Sequence, residues 1–217
     1  MKDSSYYKNY HKAKEYLNLE SKKIFFQIGT NDGDDAFKLL VEEYQPAKTV
    51  LVEPWASLYD KIHESYKDLN YELIEGVVHD NSEGDASLYL PENNHTRLNH
   101  STLAPMTDWK IKNLIPTPVR AYNFNDLCQS RDITEIELLM LDTEGYDFII
   151  LNSIDFNKIK IKNIISENWG FDTETCYNEY KERDFFGSNG MDNIYRKLSK
   201  LNYKILKFKS DTFYQLQ

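Results

Sequence analysis

FFQIGTNDGDD, residues 25–35, runs an apolar strand into a glycine, three polar residues, a second glycine and two acids. Residues 24–28 read as a buried strand, and 35–44 as a helix that stops before Pro46. The pattern then repeats. Residues 49–53 form a second buried strand, and Pro54 stands at the start of a helix over 55–66. A third strand covers 71–78, followed by a turn at 81–84 and a short alternating strand over 86–90. After a polar stretch, 119–123 reads as a strand, 125–129 as a short helix, 137–141 as a strongly apolar strand and 146–152 as a helix start. Residues 161–166 give a further strand and 192–201 a helix. Residues 203–208 and 212–216 close the chain as two strands around the turn at Ser210–Asp211. An amphipathic helix over 5–19 precedes all of this. Strands that alternate with helices, apolar on both faces, predict an α/β fold with a mostly parallel central sheet and helices on both faces. The closing pair predicts an antiparallel last strand.

The chain has 217 residues, 41% of them apolar, which suits one domain over 1–217. Within it, 1–20 is an N-terminal helix, 24–90 and 119–217 form the core, and 91–118 is a long loop region bordering the active site. That loop carries four prolines and two histidines, a composition that fits a functional loop. The net charge is −9, from 26 basic and 35 acidic residues, which argues against a nucleic-acid surface. No run of 18 apolar residues predicts a membrane span, and the first residues lack the apolar core of a secretory signal. Cys128 and Cys176 form no CxxC pair. These features together predict a cytoplasmic setting.

In an open α/β sheet, ligands bind beyond the carboxyl ends of the strands, where the turn Gly29–Thr30–Asn31–Asp32–Gly33 lies. Glycine allows positive φ there and close approach of a ligand. The spacing is G-x-x-x-G, so neither the dinucleotide fingerprint nor a phosphate-binding Walker loop is met. Asp32, Asp34 and Asp35 crowd the helix N-terminus and would repel a pyrophosphate. A nucleoside that carries positive charge fits better, and S-adenosylmethionine has that chemistry. Glu53 ends the second strand twenty residues after Gly33 and can accept both ribose hydroxyls, with Pro54 beside it. Val78 and His79 at the end of the third strand can flank the adenine. Asp80 either bonds the adenine amino group or belongs to an Asp-Asn turn leading to Gly84.

With these residues placed, the chain resembles the FkbM family of S-adenosylmethionine-dependent methyltransferases over roughly residues 24–208. FFQIGTNDGDD is similar to the family's first motif and VLVEPWASLYDKI to its second. VVHDNSEGDASLYL resembles the segment after its third strand. LLMLDTEGYDFIIL resembles its Asp-x-Glu-Gly motif, and IISENW its fifth strand. The resemblance implies the Rossmann-like class I methyltransferase fold. It also implies O-methylation of a sugar, glycan or other small acceptor, with S-adenosylhomocysteine as the second product. Two positions depart from the family. Many relatives carry an acid where Gln27 stands, and often a lysine where Met140 stands. Gln27 can still hydrogen-bond the methionine amino group.

Methyl transfer to a hydroxyl needs a base, or a metal that lowers the hydroxyl pKa. Asp142, Glu144 and Glu167 lie at strand ends beside the turn and are the catalytic candidates. Asp142 is also placed to contact the methionine end of the cofactor, and Glu144 to hold substrate. The alternatives are a helix cap for Asp142, a dipole-favouring acid at Glu144 and a plain loop acid at Glu167. His95 and His100 are weaker candidates for a base, and Ser101 and Thr102 can touch the cofactor. Asp142, Glu144 and Glu167 together would suit Mg²⁺, although no spacing requires a metal. Residues 170–190 are expected to border the acceptor pocket. Two other readings compete: an NAD-dependent dehydrogenase, weakened by the missing third glycine, and a non-catalytic nucleoside-binding domain, weakened by the retained acids. The acceptor and the oligomeric state are not encoded in any motif.

Overall fold

Alternation along β1 (Ile24–Ile28) decides how the layers stack. Phe25 packs with helices on one side of the strand, and Phe26 and Ile28 with helices on the other. A computed structural model describes residues 4–80, 84–91, 114–144, 146–167, 190–208 and 211–217. His95, His100, Ser101, Thr102, Gly145, Cys176 and most of 91–118 and 168–190 lie outside the described residues.

The further elements are α1 (Ser4–Tyr16), α2 (Ala36–Tyr44), β2 (Lys48–Glu53), α3 (Ala56–Tyr66), β3 (Tyr71–Glu75), β4 (Val77–His79), β5 (Gly84–Pro91), β6 (Leu114–Asn123), α4 (Phe124–Gln129), β7 (Glu135–Leu141), α5 (Asp147–Ser153), β8 (Lys160–Glu167), α6 (Gly190–Lys200), β9 (Tyr203–Lys207) and β10 (Asp211–Leu216). The main sheet has seven strands in the order β3-β2-β1-β7-β8-β10-β9. The first five run parallel, and β10 lies antiparallel to both β8 and β9. The order turns back at β1, with β2 on one side and β7 on the other. A crevice opens there beyond the carboxyl ends of the strands.

One face of the sheet buries Phe25, Leu51, Leu138, Met140 and Phe213 against Ala13 and Leu17 of the N-terminal segment, Phe37, Leu40 and Val41 of α2, and Leu58, Ile62 and Tyr66 of α3. The other face buries Phe26, Val50, Leu139 and Ile164 against Leu127 of α4, Ile150 and Leu151 of α5 and Ile194 and Leu198 of α6. Both faces of the strands are therefore dry, as parallel strands require. Asp35 caps α2 by accepting the Lys38 N–H at 2.9 Å.

Several element ends shift by one to three residues from the sequence expectation, and two differences are larger. The strand read as 71–78 breaks at Gly76, and β4 leaves the main sheet for a second sheet of order β4-β6-β5. Gly76 has φ +151°, and a Cβ there would stand 2.5 Å from the Arg120 carbonyl oxygen. Strand β6 starts at Leu114, five residues before the expected 119, so its first residues belong to no loop. Among the described residues, no helix is long and apolar enough to cross a membrane.

Candidate active site

Gly29 follows β1 with φ +84°, and its N–H donates to the Val52 carbonyl at 3.0 Å. A Cβ at this position would lie 1.9 Å from the Asp142 carbonyl oxygen. Only glycine lets β1 and β7 end this close together. Asn31 (φ +53°) and Gly33 (φ +71°) complete a turn in the left-handed region. The turn is tied to β2 through Glu53, which is 3% exposed. Its Oε2 accepts the Asn31 N–H at 2.7 Å, and its Oε1 accepts the Trp55 N–H at 3.0 Å. Each oxygen keeps a lone pair for a further donor. Burial pushes the Glu53 carboxyl up to about 7.

A cavity of about 200 Å³ opens beside this carboxylate. Gly29, Asn31, Glu53, Pro54 and Val78 line one part of it, and Asp142, Thr143, Glu144 and Glu167 line another. Sequence reasoning missed the apolar wall made by Trp55, Leu58, Val77 and Leu88. Trp55 had a signal, because it directly follows the Glu53-Pro54 pair. Leu88 had only the alternation of a short strand. No lysine, arginine or histidine lines the cavity among the described residues.

The acids gather at the ends of β7 and β8. Carboxyl oxygens of Asp142, Glu144 and Glu167 all lie within 4.8 Å of one another. Asp142 is exposed where it lines the cavity, while protein atoms crowd its carboxyl. Burial and neighbouring acids raise the proton affinity of Asp142 and of Glu167, to which it is hydrogen-bonded. The pair therefore retains a proton under conditions where a free carboxylate would be bare. Burial, then the charges of Asp142 and Asp147, push Glu144 up to about 8. An all-oxygen triad of this spacing also matches what a hard divalent cation uses, though acids are often spaced this way without one.

Other expected residues stand outside the cavity wall. Thr30 is 1% exposed, and its hydroxyl donates to the Val52 carbonyl at 3.3 Å. The Asp32 carboxylate accepts the Asp34 N–H at 3.3 Å within the turn. Gln27 is fully buried beneath α2, where its amide donates to the Asp35 carboxylate. Its Oε1 has no hydrogen-bond partner among the described residues. At the end of β4, the Asp80 carboxylate accepts the Tyr146 hydroxyl at 2.8 Å and lies 2.9 Å from the His79 ring. The Tyr146 ring lies 5.5 Å from that of His79. The structure thus brings Gly29, Asn31, Glu53, Pro54, Val78, Asp142, Glu144 and Glu167 together, and sets His79 and Asp80 beside them.

Residues 27–205 match the model of the methyltransferase FkbM domain. The chain belongs to the FkbM family of S-adenosylmethionine-dependent methyltransferases. Among solved structures, a Streptococcus mutans protein in complex with S-adenosylhomocysteine matches with a TM-score of 0.51 at 8% identity, covering 99% of each chain. The precorrin-6y C5,15-methyltransferase of Geobacter metallireducens matches at 0.47 and 11% identity, over 96% of this chain and 87% of that one. A methyltransferase from Pyrococcus furiosus matches at 0.47 and 13%, over 98% and 83%. Identities this low concern the fold alone, which is the class I methyltransferase fold. No curated protein sequence matches the chain.

Proposed function

We propose that the protein transfers the methyl group of S-adenosylmethionine to a hydroxyl oxygen of a sugar, glycan or other small metabolite. The observation that carries this reading is the charge of the cavity. Glu53 and the carboxyls of Asp142, Glu144 and Glu167 all line it, and no basic residue does among the described lining. These carboxylates would repel a pyrophosphate, whereas they would attract a sulfonium cation.

In this reading Glu53 accepts the ribose hydroxyls, and the glycine turn lets the nucleoside approach the backbone. Pro54, Val78, His79 and Asp80 surround the adenine, and Asp142 faces the methionine end. Thr30, Asp32 and Gln27 support the turn from behind. Glu144 and Glu167 face the acceptor. The acceptor oxygen attacks the methyl carbon in line with the departing sulfur. A C–O bond forms as the C–S bond breaks, and sulfur keeps the electron pair as the thioether of S-adenosylhomocysteine. The hydroxyl proton passes to a carboxylate, for which Glu144 is best matched near neutral pH. The sulfonium charge stabilises the ionised form of that acid, so cofactor binding readies the base.

Calorimetric titration tests this. S-Adenosylmethionine and S-adenosylhomocysteine are expected to bind and NAD⁺ is not. Glu53→Ala should weaken both by about tenfold or more, the worth of charge-assisted hydrogen bonds. Binding of NAD⁺ alone would overturn the reading. With binding in hand, a screen of hydroxyl acceptors should give turnover that falls at least a hundredfold in Glu144→Gln.

A further inference from the structure

Asp147 lies just behind the cavity and lines none of it. It is the first residue of α5 and is 1% exposed. Three donors converge on its carboxylate. Oδ1 accepts the Thr143 N–H at 2.9 Å and also the Thr143 hydroxyl, while Oδ2 accepts the Glu167 N–H at 2.8 Å. One side chain thus bonds the turn that follows β7 and the last residue of β8.

The bond to Glu167 begins where the sheet stops. The β7–β8 ladder ends at Leu141 opposite Ser166. One residue further on, Asp142 is still tied to β1, through its N–H to the Ile28 carbonyl at 3.0 Å, and Glu167 still pairs with Asp211 of β10, but the β7–β8 pairing does not join these two acids to each other; Glu144 joins them from the turn. Their carboxyl oxygens lie within 4.8 Å of one another. Each negative charge in such a group favours spreading, and β7–β8 pairing no longer opposes it between these two strand ends. Three donors call for a side chain that only accepts, which the carboxylate is. Asparagine would turn an N–H₂ group onto one of the three donors. An acid at this position adds to the local negative charge, a cost that a purely structural cap could avoid.

We propose that Asp147 is the positioning residue of the site: it clamps the turn bearing Asp142 and Glu144 to the end of β8 bearing Glu167, and so holds the three acids at the methyl-transfer end of the cavity. This rests on the cofactor reading given above.

The test compares two ligands in the full chain. S-Adenosylmethionine and S-adenosylhomocysteine share every group except the methyl and its positive charge. General damage weakens both alike, while loosening of the acids weakens only the charged ligand. Asp147→Asn and Asp147→Glu are each expected to lower the preference for S-adenosylmethionine by about tenfold, as loss of a hydrogen bond to a charged group would. The glutamate variant keeps the charge but misplaces the carboxylate. A fall confined to asparagine would mean that charge alone matters and would overturn the proposal, as would an unchanged preference in both. If neither variant folds, Thr143→Ala removes one donor and leaves Asp147 in place. It should lower the preference about twofold to threefold, and no change would overturn the clamp. A wild-type protein that binds neither ligand overturns the cofactor reading, and the proposal with it. Normal wild-type binding with an intact preference in the variants overturns the proposal alone.

Discussion

Gln27 and Met140 are direct partners across β1 and β7. These are the two positions where the chain departs from the relatives it resembles, which often carry an acid and a lysine there. Both side chains lie on the α2 face of the sheet, and Met140 is 7% exposed. The two departures therefore stand side by side in one buried layer, where both side chains are neutral. Neither residue lines the cavity, so the departures leave the carboxyl cluster untouched. A prediction follows from the cost of burying single charges. Gln27→Glu places a second carboxylate against Asp35, and Met140→Lys buries an ammonium. Each alone should cost about 3 kcal/mol or more, while the double variant should recover at least 1 kcal/mol of the summed loss. Denaturant unfolding of the four proteins measures this, and strict additivity would refute it. Gln27 also marks a limit of sequence reading. Its place in the motif suggested the methionine amino group, but period-two alternation puts its side chain opposite Ile28, away from the cavity. Asp147 was missed for a related reason. Its partners, Thr143 and Glu167, come from two elements, and only the fold brings them together.

At the scale of elements, the strands of the main sheet were legible because each is a short apolar run bounded by turn residues. Of strand β6 only the second half was, because Pro116 and Pro118 read as loop signals. Their spacing explains how a strand accepts them. Both lie on the same side of β6, and β4 pairs only with residues 121–123, so the missing N–H groups interrupt no ladder. The break at Gly76 was hidden inside a continuous β-favouring run. It re-aims Val77 and Val78 into the cavity wall, and the Gly76 N–H is held by the Glu53 carbonyl at 3.0 Å. Helix α5 carries Asp147 at one end and is anchored at the other by Lys197 of α6. The Lys197 ammonium donates to the carbonyls of Leu151, Asn152 and Ile154 at 3.3, 2.7 and 3.0 Å. It satisfies the unpaired end of the helix and opposes its dipole. Lys197→Met should therefore lower the melting temperature by about 2–6 °C, equivalent to about 1–2 kcal/mol. Cofactor affinity should change less than twofold, because the anchor lies at the far end of α5. A large loss of affinity without a loss of stability would contradict this division of labour.

For the whole molecule, the site is a reservoir of unfavourable charge whose cost depends on pH. Glu53, Glu144 and Asp147 are held up to about 7, 8 and 6, first by burial, and Asp142 and Glu167 are raised as a pair. A carboxyl with a raised pKa binds its proton more tightly in the folded chain. Its contribution to stability is complete below the unfolded value near 4 and is lost as pH rises through the folded value. Surface acids such as Glu20 and Glu43 behave oppositely, since Lys162 and Lys14 hold them low, and they weaken the fold only on acidification. The protein without ligand should therefore be most stable near pH 5. Between pH 5 and 8 it should lose about 2–4 kcal/mol, or roughly 5–10 °C of melting temperature, after allowance for water and relaxation around the site. S-Adenosylmethionine brings a positive charge to the same acids, so the stabilisation it confers should grow from pH 6 to 8. S-Adenosylhomocysteine, without that charge, should show a weaker trend. Thermal melts at saturating ligand across this range decide the matter. A flat profile for the free protein, or equal trends for the two ligands, would mean that the acids are solvated and that the sulfonium does not sit among them.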